Sequence, residues 1–255
     1  MASGSAQPIS SSNPTILIIQ GSFQTPLVYS ALQDSLKAKG YPVVHPTLPS
    51  CSNTSAPSFP SITLIDDALA VRLQLTKLIE YEHRTVLVVM HSYGGLVGSE
   101  AIPKELTQSH RSSQGLPGGV IHLFFFSAFL LPAGQSVLSA FGESPNNEVR
   151  PDGRFYIRAG ASNLYNDLPG DEAKAWEERL IPQSYEVQKT VLTREAWKYV
   201  PSTYLICEND QAAPASFQER FAKMAQSTVV RCSAGHSPML SQTAILVGKL
   251  LKLQK

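Results

Sequence analysis

The sequence predicts a mainly parallel β-sheet covered by helices on both faces, with an insertion late in the chain. Short runs rich in β-branched and apolar residues, typical of buried strands, alternate with segments whose apolar residues recur at helical spacing. This alternation favours a parallel sheet, because parallel neighbours need a crossover that is usually a helix. The alternation stops after Pro132 and resumes near Ser202, which indicates an insertion within one core.

The first half of the chain supplies four predicted strands with helices between them. The strands are short apolar runs over residues 15–20, 41–45, 85–90 and 120–129. The helices are predicted over 27–39, from a cap at Ser61 to about Ile79, and over 93–102, where Pro103 ends the last one. The polar, glycine-containing residues 104–119 are expected to form an exposed connection.

The second half divides into a cap and the end of the core. Residues 132–193 mix Pro, Asn and Gly clusters with an amphipathic stretch over 171–180, so a small, mostly helical cap is predicted there. Two further strands and two helices are predicted over 202–207, 228–232, 214–224 and 238–251. The core then comprises residues 15–131 and 194–255, after a disordered leader over 1–14.

Composition excludes several classes of partner. The formal net charge is +1 and no long run of Lys or Arg occurs, so neither nucleic acid nor an anionic membrane is an expected partner. The leader lacks the charged-then-apolar order of a secretion signal, and a cytoplasmic location is therefore expected. The three cysteines, Cys51, Cys207 and Cys232, have no metal-like spacing and are interpreted as free thiols. No metal or other cofactor is expected.

Three residues point to nucleophilic catalysis. Ser92 follows the 85–90 strand and precedes two glycines, Asp210 follows the 202–207 strand, and His236 follows the 228–232 strand. A serine hydroxyl needs a base to take its proton and a carboxylate to orient that base, and open parallel sheets place such groups at the carboxyl ends of their strands. Taken alone, Ser92 could be a helix cap, Asp210 a turn residue or helix cap, and His236 a surface loop histidine. Glu208 is a second choice for the acid, since it lies closer to the strand end.

An acyl-transfer site also needs donors for the negative oxygen that develops in the transition state. The backbone N–H of Tyr93, directly after the candidate nucleophile, is the first expected donor. The second is expected from the loop after the first strand, at Ser22 or its alternative Phe23.

Together these segments resemble the α/β-hydrolase superfamily, and more closely its plant methyl esterases and hydroxynitrile lyases with their fungal and bacterial relatives. The resemblance covers nearly the whole chain after the leader and rests on six motifs, at residues 21–23, 48–50, 89–95, 165–169, 201–210 and 234–238. It implies a triad of Ser92, Asp210 and His236, oxyanion donors at Ser22 and Tyr93, and a small cap over the site. Two residues depart from the common pattern: Gln20 replaces a frequent His, and Met90 occupies the first glycine of G-x-S-x-G.

The resulting prediction is a serine hydrolase that acts on an ester, lactone or thioester of a small or medium hydrophobic molecule. The expected pocket residues, for which plain core packing is the alternative, are Phe23, Phe129, Leu131, Tyr165 and Trp176. A second hypothesis, suggested by the plant lyases, keeps the triad for C–C cleavage, cyclisation or dehydration in natural-product metabolism. A third, ranked lowest, is a ligand-binding protein on the same scaffold. The sequence leaves a homodimer open.

Overall fold

A computed structural model of the protein describes residues 13–254, so most of the predicted leader lies outside the described residues. Nine strands form in this part of the chain. They are β1 (Thr15–Ile19), β2 (Val43–Val44), β3 (Thr85–His91), β4 (Gly119–Phe126), β5 (Asn147–Val149), β6 (Arg154–Ile157), β7 (Gln183–Ser184), β8 (Ser202–Cys207) and β9 (Thr228–Cys232).

The α-helices lie between these strands and, for the last two, after β9. They are α1 (Ser30–Ala38), α2 (Leu64–Thr76), α3 (Gly94–Ala101), α4 (Gln108–Ser113), α5 (Val137–Phe141), α6 (Gly160–Leu164), α7 (Gly170–Glu177), α8 (Glu186–Lys189), α9 (Ala215–Met224), α10 (Pro238–Ser241) and α11 (Thr243–Leu251).

Six strands form one parallel sheet in the order β2-β1-β3-β4-β8-β9. Alternate residues of the central strands enter two separate apolar clusters: Leu17 and Val88 pack on one face, and Ile16 and Leu87 on the other. Both faces are therefore covered, which explains why the strands read as continuous apolar runs. The predicted parallel sheet flanked by helices is confirmed.

Several element ends differ from the sequence prediction, each for a local reason. Helix α2 begins after Thr63 rather than at Ser61, because Thr63 Oγ1 accepts from the backbone N–H of Asp66 and the Asp66 carboxylate accepts from that of Thr63. The Ser61 hydroxyl instead donates to the carbonyl of Ser58. Strand β4 ends at Phe126, three residues early, because Ser127 adopts a left-handed backbone with φ 48°.

Two longer stretches also differ. The connection over 104–119 is not a plain exposed loop, since it contains α4 and buries Leu106 and Arg111. The single helix predicted over 238–251 is divided into α10 and α11 at Gln242, whose extended φ of −137° interrupts the helix.

The cap combines four short helices, α5 to α8, with a three-stranded antiparallel sheet in the order β5-β6-β7. The sheet adds to the mostly helical cap that the sequence predicts. Its first hairpin turns through Pro151, Asp152 and Gly153, where Gly153 has φ 80°. Pro-Asp-Gly is a strong turn signal, so this hairpin was readable from the sequence. The boundaries proposed for core and cap stay a prediction.

Across residues 13–254, no helix has the length and apolar character needed to cross a membrane.

Candidate active site

Ser92 lies in the sharp turn between β3 and α3. Its backbone has φ 51°, a left-handed conformation that is uncommon for a residue with a side chain, and the residue is buried. The turn packs tightly against the end of β1: a Cβ at Gly94 would overlap the carbonyl of Ile19. This strand-turn-helix geometry lifts the hydroxyl to the carboxyl edge of the sheet and explains the glycine that follows closely after the serine.

His236 and Asp210 meet at the same edge, in the loops after β9 and β8. The Nδ1 atom of His236 lies 2.9 Å from Asp210 Oδ2 and 3.0 Å from Oδ1, and both side chains are buried. Asp210 Oδ1 also accepts from the backbone N–H groups of Ala212 and Ala213, each at 2.8 Å. These donors fix the carboxylate, which in turn orients the imidazole.

Glu208, the alternative acid, lies elsewhere. Its side chain is exposed and its carboxylate is 3.5 Å from the guanidinium of Arg231 on the protein surface. The structure therefore brings Asp210, and not Glu208, to His236.

His91 is a buried support for this edge. Its Nε2 lies 2.9 Å from the carbonyl of His236, so Nε2 must carry the proton, and its Nδ1 lies 2.7 Å from the hydroxyl of Tyr29. Burial, and secondarily the charge of His236, hold the pKa of His91 well below its usual value. The neutral ring therefore accepts from Tyr29 and donates to the His236 backbone. The Tyr29 oxygen accepts from the Gly21 N–H at 2.8 Å, so these bonds link the loop after β1 to the backbone of His236.

The residues expected to supply the oxyanion donors, Ser22, Phe23 and Tyr93, line the same cavity as Ser92. Phe23 has φ 64°, and its carbonyl accepts from the Ile181 N–H of the cap at 2.9 Å, which holds the loop in place. Tyr93 is the first residue after the turn, directly before α3.

A second buried carboxylate, Asp67 of α2, was missed by the sequence reasoning. Its Oδ2 accepts from the hydroxyls of Tyr93 at 2.7 Å and Ser50 at 2.5 Å, while its Oδ1 accepts from the Ser50 N–H at 2.8 Å. Burial raises the pKa of Asp67 to about 6, although the Ser50 bonds oppose this. The missed signal is the Asp66-Asp67 pair: only Asp66 is used in the helix cap, which leaves Asp67 facing inward.

The cavity beside Ser92 has a volume of about 330 Å³ and is bounded by Ser92 and His236. Its walls are mainly apolar and come from α3, α9, the loop after β4 and the cap. They include Leu96, Phe129, Val137, Phe141, Phe155, Ile157, Leu164 and Phe217. Such a space suits an apolar molecule of modest size.

Two of the five predicted pocket residues, Phe23 and Phe129, line this cavity. The other three pack elsewhere. Leu131 is buried in the main core. Tyr165 and Trp176 belong to a small apolar cluster formed mainly by cap residues, with ring centroids 6.5 Å apart. The Tyr165 hydroxyl is also occupied, since it accepts from the Gln24 amide at 3.4 Å. For these three residues, the alternative of core packing is the correct one.

Comparisons with known proteins identify the family of the chain. Residues 16–248 match the model of the α/β hydrolase family. The chain is also 32% identical to the α/β hydrolase nvfD of Aspergillus novofumigatus over 245 residues, which are 92% of this chain and 94% of that protein.

The chain belongs to the α/β-hydrolase family.

Solved structures of other α/β hydrolases share the fold. A polyneuridine aldehyde esterase mutant superposes with a TM-score of 0.73 at 16% identity, covering 95% of this chain and 99% of that one. The methylesterase MES16 from Arabidopsis gives a TM-score of 0.72 at 16% identity, covering 94% and 98%. The predicted membership of the α/β-hydrolase superfamily is thus confirmed. The predicted relation to plant methyl esterases is supported by a shared fold.

The two departures from the common α/β-hydrolase pattern have different surroundings. Gln20 is buried and its amide donates to the carbonyl of Gln24 at 2.5 Å, so it braces the loop that carries Ser22 and Phe23. Met90 is buried in the core beneath α3, where a Cβ at Gly98 would overlap its sulfur. The Met90 side chain therefore fills the space that a side chain at position 98 would otherwise take, and the glycine there makes room for it.

Proposed function

We propose that this α/β hydrolase cleaves an ester, lactone or thioester of a small or medium hydrophobic molecule, with Ser92 as nucleophile. One observation carries the proposal: Ser92 and His236 bound the same cavity, and the Nδ1 atom of His236 is held by the Asp210 carboxylate. The names of nvfD, a hydrolase, and of two esterases of the same fold support hydrolytic chemistry.

The chemistry follows from the bonds at each atom. Because Asp210 occupies Nδ1 of His236, Nε2 is the nitrogen that takes the proton of Ser92 as its Oγ attacks the carbonyl carbon. The backbone N–H groups of Tyr93 and of Ser22 or Phe23 stabilise the oxyanion. His236 then protonates the leaving group, and a water activated by the same histidine releases the acid from the acyl-enzyme.

Substitution of the nucleophile is the first test. We expect Ser92→Ala to lower kcat for p-nitrophenyl esters of increasing chain length by roughly 10⁴-fold or more, because nucleophile and base act as a unit. Hydrolysis rates of purified wild type and variant provide the measurement. Equal rates in the two proteins would remove Ser92 from the mechanism.

An acyl-enzyme assay separates hydrolysis from the other triad chemistries. A fluorophosphonate should label Ser92, and mass spectrometry of a rapidly quenched reaction should show the acyl group on the same serine. Labelling and substrate turnover without an acyl adduct would favour the lyase or cyclase hypothesis. Binding of the ester without any turnover would favour the ligand-binding hypothesis.

The cytoplasmic location and the homodimer stay predictions. Sedimentation equilibrium of the full chain measures the second one directly, and a single species of the monomer mass would contradict it.

A further inference from the structure

Gln188 is a little-exposed polar residue of the cavity that the proposed mechanism does not use. It lies in α8 of the cap, is 9% exposed, and lines the same cavity as Ser92 and His236. Within residues 13–254 its side-chain amide makes no hydrogen bond, although its backbone N–H donates to the carbonyl of Tyr185. An amide in such a position has two donors and one acceptor oxygen available to whatever occupies the cavity.

Other polar residues around the cavity differ from Gln188. Glu143 accepts from the Tyr185 hydroxyl at 2.9 Å, and Ser144 accepts from the Asn146 N–H at 3.2 Å. Glu143 and Ser144 are also exposed at the cavity mouth, where water can satisfy them. Gln183 of the cap does not line the cavity: its amide nitrogen donates to the Ser50 hydroxyl at 2.9 Å, and its amide oxygen is buried in the core without a partner among residues 13–254. Gln188 instead lines the cavity, is little exposed and has a side-chain amide that is free to bind a ligand.

The surroundings of Gln188 sharpen the contrast. The neighbouring Val187 is fully buried in the core, and the facing walls are apolar, with Val137 and Phe155 among the lining residues. An amide that lines an open cavity can be satisfied by water until a ligand displaces that water, and native proteins leave few buried polar groups unsatisfied. A substrate that fills this cavity with hydrocarbon alone would leave the amide unsatisfied.

We propose that Gln188 recognises an oxygen atom, either a carbonyl or a hydroxyl, carried on the otherwise apolar part of the substrate. This inference rests on the proposed function and narrows it to oxygenated acyl chains or ring systems. A carbonyl accepts from the amide nitrogen, and a hydroxyl donates to the amide oxygen or accepts from the nitrogen. Sites built to hydrogen-bond a substrate group reject the analogue that lacks it, because the protein group is then left unpaired.

The test uses p-nitrophenyl octanoate and matched esters with one carbonyl or one hydroxyl at successive carbons of the chain. In wild type, we expect at least one oxygenated ester to exceed plain octanoate in kcat/KM by about tenfold or more. The carbonyl and hydroxyl arms identify which oxygen is recognised. Gln188→Met keeps the approximate length of the side chain and removes the amide. In this variant, the ratio of kcat/KM for the oxygenated ester to kcat/KM for plain octanoate should fall to about one.

Two further variants control the result. Gln135→Met makes the same substitution at an exposed cap position and should keep the wild-type ratio. Gln188→Asn keeps the amide on a shorter side chain and should move the preferred carbon, which a merely structural role would not do. If Gln188→Met fails to fold, the shift of the preferred carbon in Gln188→Asn still tests whether the amide recognises the substrate oxygen.

The outcomes are separable from failure of the proposed function. Hydrolysis that survives Ser92→Ala overturns the proposed function. Ser92-dependent hydrolysis with no oxygen preference, or with a preference that survives Gln188→Met, overturns the role of Gln188. If no ester is turned over, calorimetry measures the Kd of 2-octanone and of its oxo and hydroxy derivatives in place of hydrolysis rates. Equal Kd values for the plain and the oxygenated compounds in wild type overturn the proposal.

Discussion

Two buried carboxylates flank the turn that carries Ser92, and they have different partners. Asp210 faces the imidazole of His236, which can become a cation, and is further held by backbone N–H groups. Asp67 faces only neutral donors, the Tyr93 hydroxyl and two groups of Ser50. Both acids are almost completely buried, so the difference between them lies in the partner and not in exposure to water.

The comparison separates two uses of a buried acid. A carboxylate beside a group that gains positive charge stabilises that charge during the reaction. A carboxylate that accepts only neutral hydrogen bonds fixes the geometry of its donors, here the tyrosine whose backbone N–H is a proposed oxyanion donor. Asp67 retains a raised pKa because its donors do not compensate for its burial.

Removing the charge of Asp210 should give the largest effect. We expect Asp210→Asn to lower kcat by roughly 10⁴-fold, because the amide no longer holds the required tautomer of His236 or stabilises its cation. Steady-state rates on the best p-nitrophenyl ester measure this. Glu208→Gln is the matched control, since Glu208 pairs with Arg231 at the surface, and its rate should stay at the wild-type level. The reverse pattern would assign the acid to Glu208.

The pH dependence of stability should single out Asp67. Its pKa rises from 3.8 to about 6 on folding, so the folded state binds the proton more tightly than the unfolded state does. The stability associated with this proton is present below about pH 4 and is lost as pH rises through about 6, a change of about 3 kcal/mol. The free energy of unfolding in urea, measured from pH 4 to 7, should show this loss relative to Asp67→Asn. Parallel curves for the two proteins would contradict the raised pKa.

The smallest expected effect is that of the Tyr93 hydroxyl. Tyr93→Phe removes the bond to Asp67 but keeps the ring and the backbone N–H. We expect kcat to fall by roughly tenfold with little change in KM, because a displaced donor weakens stabilisation of the transition state. Tyr199→Phe, which removes a hydroxyl bonded to the Ile102 carbonyl, is the control. An unchanged kcat in Tyr93→Phe would limit Asp67 to a structural role.

The sequence was most informative where one local pattern determines one position. Ser92, Asp210 and His236 each follow a strand of the parallel sheet, and the carboxyl edge of such a sheet brings these loops together whatever the details of packing. Asp67 could not be found in this way, because its importance depends on the long-range contact between α2 and Tyr93. Helical spacing shows which side of α2 is apolar, but not which polar group reaches a partner.

The cap was the hardest region to predict for the same physical reason. Its short elements bury side chains in a way that local periodicity does not encode. Tyr165 and Trp176, which the sequence predicts in the cavity, pack instead in the apolar cluster of the cap. Gln188 had no sequence signal at all. Only the three-dimensional structure shows that it lines the cavity of Ser92 and His236.

The contact between Met90 and Gly98 makes the two positions dependent on each other when the sequence changes. A Cβ at position 98 would overlap the Met90 sulfur and lie 3.0 Å from its Cγ. Because these atoms belong to a flexible side chain, a larger residue at position 98 requires Met90 to move to another rotamer. A smaller residue at position 90 would remove that requirement, so the cost of a substitution at one position depends on the residue at the other, which is pairwise epistasis.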